Sequence, residues 1–109
     1  MRWSRLGWLA AFSLIAGCQR SEPRTTEERG ASVYMRSCSG CHGPDGRGAA
    51  RMGLSSAPRD LTDPSLYEDP DALRETILRG QGQMPAFRKV LVGQDLDDLM
   101  AFLVTLPRR

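Results

Sequence analysis

The sequence predicts an all-α domain, on three observations. Three stretches repeat apolar residues at helical spacing. No run alternates apolar and polar residues as a half-buried strand would. The segments between the helical stretches are rich in Gly and Pro. With 109 residues and no internal repeat, the chain has room for one small domain.

Residues 1–17 read as an export signal. Arg2 and Arg5 form a basic start, and Leu6 to Ala16 is apolar apart from Gly7 and Ser13. That run falls well short of the ~18 residues needed to cross a bilayer, which argues against the alternative of an uncleaved anchor. Its end, Leu14-Ile15-Ala16-Gly17-Cys18, resembles the lipobox of bacterial lipoproteins. The resemblance implies that Cys18 is acylated and begins the mature chain. The alternative, an ordinary signal peptide, leaves Cys18 as a free thiol in an exported protein. Gln19 rather than Asp after the cysteine resembles sorting to the outer membrane. The expected location is the periplasmic side of a bacterial membrane.

Residues 18–26 form the lipidated cysteine and a polar tether that contains Pro23 and no apolar period. Extended, Gln19 to Thr26 would span at most about 26–29 Å. The domain is expected over 27–109. Lys and Arg number 15 against 13 for Asp and Glu; without Arg2 and Arg5 the balance is 13 to 13. No basic excess points to nucleic acid.

In the first helical stretch Gly30, Val33, Tyr34, Ser37 and Cys38 share a face. The second opens with Asp69-Pro70, a cap followed by proline at the first helical position, and stops at Gly80; Leu73 and Ile77 share its face. The third begins near Gly93 or Gln94 and ends before Pro107. Leu96, Leu99, Met100 and Leu103 form its stripe, and Asp95, Asp97 and Asp98 suit its positive N-terminal end. Between them lie the loops Gly43 to Asp60 and Gln81 to Val92. Long loops in a chain this small usually wrap something.

Cys38-Ser39-Gly40-Cys41-His42 is the C-x-x-C-H attachment motif for haem c. Two thiols two residues apart on one turn reach the two vinyl groups of a single porphyrin. The next residue, His42, then offers an axial nitrogen to the iron. It is the only histidine in the chain. A zinc site would need further ligands. A thioredoxin-like pair would need a βαβ setting, and a Cys38–Cys41 disulfide would leave the Gly-rich loops unexplained. With Cys18 lipidated, the three cysteines are accounted for, and no pair remains for a structural disulfide.

With this motif, Gly30 to Leu106 resembles the class I cytochromes c. Gly30-x-x-x-Tyr34-x-x-x-Cys38 looks like that family's N-terminal helix, whose glycine lets the C-terminal helix approach; here Phe102 and Leu103 would face it. Gly43-x-x-Gly46-x-Gly48 looks like the loop after the haem motif. Pro58-Arg59-Asp60-Leu61 resembles the segment whose proline carbonyl accepts the ligand histidine's N–H, which would give Pro58 the task of orienting His42. The resemblance implies three main helices with long loops around one covalent haem.

Four internal methionines compete for the sixth position on iron: Met35, Met52, Met84 and Met100. Met35 points off the Gly30/Tyr34 face, and Met100 belongs to the last stripe. Met84 precedes Pro85, which pushes it into extended backbone and presents its side chain from the loop. The pair also resembles the family's distal loop. Met84 is the preferred ligand and Met52 the alternative. Filling both axial positions with His and Met leaves electron transfer and raises the potential, helped by burial from Leu61, Leu73, Ile77 and Phe87.

The expectation is a monomeric, non-enzymatic carrier, since no acid–base pair accompanies the motif. It would shuttle single electrons between respiratory partners, a donor dehydrogenase or complex and an acceptor oxidase or reductase. Two alternatives remain: a haem subunit of a larger dehydrogenase or reductase complex, and a gas-binding or sensor protein with an open sixth position. Arg47, Arg51, Arg88 and Lys89 are candidates to ring the exposed haem edge. Arg59 and Arg79 are candidates to pair with a propionate.

Overall fold

The computed structural model describes residues 24–48 and 53–108. The signal segment, Cys18, most of the tether, Arg51 and the alternative ligand Met52 lie outside these residues. Four helices carry the fold: α1 (Thr26–Ser37), α2 (Ser39–His42), α3 (Pro70–Arg79) and α4 (Asp95–Leu103). Two 3-10 turns, Pro64–Tyr67 and Leu106–Arg108, complete it. The described residues contain no strand, and the expected all-α class is what is found.

Helix α1 starts where its cap permits. Thr25 accepts the N–H of Glu28, and the Glu28 carboxylate accepts the N–H of Thr25, a reciprocal capping box. Helix α1 therefore begins at Thr26, just after this cap. At α3 the expected signals operate as read. Asp69 caps the Ala72 N–H at 3.0 Å, Pro70 fills the first position, and Gly80 ends the helix at φ +76°. At α4 the expected stop is displaced. The helix ends at Leu103, and Pro107 sits inside the following 3-10 turn, where its fixed φ is tolerated.

The principal packing is α1 against α4. Gly30 makes it possible: a Cβ at Gly30 would lie 1.8 Å from the Asp98 carbonyl oxygen and 2.8 Å from Phe102 Cβ. The atoms nearest that position belong to Phe102, as expected, and to the Asp98 backbone. Around this contact Val33, Tyr34, Leu99, Met100, Phe102, Leu103 and Leu106 are buried together. The Tyr34 and Phe102 rings sit 5.2 Å apart at a tilt of 47°. Met100 is core and Met35 is exposed, both as the sequence reading held.

Arg29 fastens the same interface from the side. Its Nε and Nη2 donate to the two Asp98 carboxylate oxygens at 2.8 and 3.0 Å. This bidentate pair holds the buried Asp98 carboxyl below its ordinary range, chiefly through the Arg29 hydrogen bonds. Asp98 therefore joins two helices in addition to suiting the end of its own.

Candidate haem site

The face of α1 that packs on α4 runs on into the haem-binding segment. Gly30, Val33 and Tyr34 are buried; Ser37 and Cys38, further along, line a cavity instead. At Cys38 the backbone leaves the helix (φ −122°, ψ −37°) and α2 begins. The Cys38 carbonyl accepts the N–H groups of Cys41 and His42 at 3.2 and 2.9 Å, so one turn carries all three motif residues. Tyr34 steadies that turn from below by donating its hydroxyl to the Gly43 carbonyl at 2.5 Å.

Cys38, Cys41 and His42 all line a cavity of about 900 Å³, at the upper end of the ~300–1,000 Å³ usual for bound small molecules. Its walls are largely apolar. Leu61, Leu73, Ile77 and Phe87, the residues expected to bury the haem, are all there, together with Met84. Leu54 adds to them from a loop, Leu66 from the first 3-10 turn, and Leu99 and Leu103 from α4. Sequence reasoning missed those four: two were assigned to the helix–helix core alone, and the other two belong to no periodic run.

Both motif cysteines are free thiols, so the disulfide alternative is not what the structure shows. Burial, and next the neighbouring Cys41, push the Cys38 thiol up to about 11. Among the described residues no cluster of three His, Cys, Asp or Glu could hold a metal ion, so the zinc alternative gains nothing. A paired-thiol turn, one imidazole and an apolar chamber suit a flat macrocycle attached through its edge.

His42 is oriented by the loop beneath it. Its Nδ1 lies 3.2 Å from the Arg59 carbonyl oxygen. Donation there would leave Nε2 as the nitrogen free to bind a metal. This corrects the assignment to Pro58. The Pro58 carbonyl is turned onto Gly48, where a Cβ would meet it at 2.8 Å. Gly48, at φ +74°, leaves space for it, and the next carbonyl along, that of Arg59, is the one that reaches the imidazole. Pro58 itself lines the cavity. Burial holds the His42 ring below its ordinary pKa, against the opposing pull of the Arg59 bond; the neutral ring is the form that ligates.

Met84 arrives from a tight turn after α3. Gln81 and Met84 exchange backbone hydrogen bonds at 3.1 and 2.9 Å, with Gly82 at φ +57° between them. Gly80 lets the chain fold back: a Cβ there would stand 2.6 Å from the Met84 carbonyl oxygen. The Phe87 and Arg88 N–H groups then donate to the Ile77 and Leu78 carbonyls, seating the loop on the end of α3.

The charged residues divide differently from the sequence expectation. Arg59 lines the cavity, whereas Arg79 lies in a shallow groove that adjoins it through Ala72, Thr76 and Gln81, and pairs with Glu75. Arg47, Arg88 and Lys89 are exposed, and none lines the cavity. Arg47 sits 3.7 Å from Asp45 and Arg88 3.4 Å from Glu75. Glu68 and Asp69, unremarked as site residues in the sequence, line the cavity with Arg59.

The family described as "Cytochrome C oxidase, cbb3-type, subunit III" matches residues 25–103. Those limits are the cap of α1 and the last residue of α4, so the match takes in the whole helical frame and the site within it. The chain belongs to this family of c-type cytochromes, whose members hold haem c covalently and use it to transfer electrons.

Proposed function

We propose that the protein is a mono-haem class I carrier in which Cys38 and Cys41 form the thioethers, His42 Nε2 is the proximal ligand and Met84 the distal one. The observation that supports this most directly is the gathering of Cys38, Cys41, His42 and Met84 on one apolar cavity. Bound haem c supplies a one-electron ferric/ferrous couple. The chain's own residues set its conditions. His42 stays neutral and aimed through the Arg59 carbonyl. Met84 offers a soft thioether, a ligand that raises the potential. Leu61, Leu73, Ile77 and Phe87 keep water away, which favours the less charged ferrous state. With both axial positions filled there is no open place for a substrate, and the chain acts as a carrier rather than an enzyme.

The carrier would sit on the periplasmic side of a bacterial membrane, held by lipid on Cys18. It would pass electrons from a donor dehydrogenase or complex to an acceptor oxidase or reductase. Among the described residues no helix is long and apolar enough to cross a membrane. A second reading is favoured by the family's own description, which is that of an oxidase subunit. In that reading the chain is the haem c subunit of a larger complex, and co-purification after gentle detergent extraction would favour it.

The ligand assignment is tested by optical spectra of the haem-loaded protein and of Met84→Ala and Met52→Ala. Loss of the low-spin spectrum and of the methionine–iron band in Met84→Ala alone is the expected result. Their loss in Met52→Ala alone would transfer the role to Met52.

A further inference from the structure

Ser55 and Gln83 join two segments that line the same cavity. The Ser55 N–H and hydroxyl both donate to Gln83 Oε1, at 3.0 and 2.9 Å, across 28 residues of chain. Ser55 stands shortly before Arg59, whose carbonyl meets His42 Nδ1. Gln83 immediately precedes Met84. The other hydrogen bonds of this loop tie it to itself, through Gln81 and Met84, or to α3, through Phe87 and Arg88. Gly82, at the tip, has no heavy atom within 4 Å of where its Cβ would stand. Among the described residues, the Ser55–Gln83 clasp is thus the hydrogen-bonded tie between the tip of the Met84 turn and the segment that aims His42.

We propose that Gln83 is a positioning residue for the distal ligand: by clasping Ser55 it keeps the 81–84 turn closed and Met84 seated, and so sets how readily the sixth iron position opens to an outside ligand. The inference rests on the reading of Met84 as that ligand. For Met84 to swing away, the turn must lift and both hydrogen bonds must break. Two bonds of ordinary strength at an exposed position correspond to a change of roughly five- to thirtyfold in the open population. Gln83 acts here only as an acceptor, so a carboxylate of the same length should serve, whereas a methyl group should not.

The test is the rate of carbon monoxide binding to the reduced, haem-loaded protein, followed by stopped flow. Gln83→Ala should bind roughly five- to thirtyfold faster than wild type. Ser55→Ala, which keeps the backbone donor, should fall between the two, and Gln83→Glu should stay near wild type. Lys89→Ala is the control, because Lys89 is exposed and does not line the cavity. The methionine–iron band should weaken in the same order. Gln83→Ala binding as slowly as wild type, while Met84→Ala binds fast, would overturn the clasp and leave the ligand assignment standing. Gln83→Glu as fast as Gln83→Ala would overturn it too, since the acceptor would then be irrelevant. Met84→Ala binding as slowly as wild type would overturn the ligand assignment and the clasp together.

Discussion

Gly30 rests directly on the backbone of Asp98, so closely that a methyl group at Gly30 would overlap the Asp98 carbonyl oxygen at 1.8 Å. That contact sets the separation of α1 and α4, and α1 leads straight into the haem-binding turn. Gly30→Ala gains helix propensity of about 0.5–1 kcal/mol. It must also force two buried helices apart, an overpacking that typically costs about 1–3 kcal/mol. A net loss of stability by urea denaturation of the haem-loaded protein is expected. A variant as stable as wild type would mean that the helices do not cross at Gly30.

The ion pair beside that contact should show itself in acid. The Asp98 carboxyl titrates below its ordinary range in the folded protein, chiefly because Arg29 donates two hydrogen bonds to it. A depressed folded pKa gives stability that is present above the unfolded value of about 3.9 and is lost as pH falls through the folded pKa. Asp98→Asn should therefore lower the melting temperature near neutral pH and lower it less as pH drops below about 4. Thermal melts between pH 3 and 7 measure this. A deficit that stays constant over the whole range would contradict it.

Arg59 lines the cavity and also stands 3.7 Å from Asp63, whereas Arg79 lies in the groove beside the cavity and pairs with Glu75. If a haem propionate pairs with an arginine of this chain, Arg59 is the one in place. Arg59→Gln keeps the backbone carbonyl that faces His42 while removing the charge. It should lower the reduction potential by about 10–40 mV, the equivalent of an exposed ion pair. Arg79→Gln should leave it unchanged in the same redox titration. Equal effects from the two substitutions would separate the propionates from Arg59.

The lipobox-like segment ends at Cys18, outside the described residues. If Cys18 carries the lipid, Cys18→Ser should move the cytochrome from the membrane fraction to the soluble periplasmic fraction with its spectrum intact. A variant that stays with the membrane would exclude lipid on Cys18 as the anchor.

The sequence revealed what is settled within a few residues. The cap at Asp69, the proline after it and the stop at Gly80 are local instructions, and α3 follows them. The turn from Cys38 to His42 is equally local. What depends on distant partners was less legible. Asp98 read as a residue suited to its own helix end, because its partner Arg29 lies 69 residues away. The carbonyl that meets His42 is that of Arg59, while that of Pro58 lies against Gly48, a contact between residues ten apart in the chain. The carboxylates beside Arg47 and Arg88, Asp45 and Glu75, were likewise not named from the sequence; that of Arg88 lies on another element. Pro107 read as the end of a helix that had already stopped at Leu103.

Electron transfer by this chain requires that it hold its own haem through Cys38 and Cys41. The direct measurement is intact mass and colour after acid–acetone extraction of protein matured with a haem-attachment system, for wild type and for Cys38→Ala with Cys41→Ala. Wild type should keep one haem's mass and its colour in the protein pellet, and the double variant should release the pigment. A colourless wild-type pellet would contradict covalent haem attachment at Cys38 and Cys41.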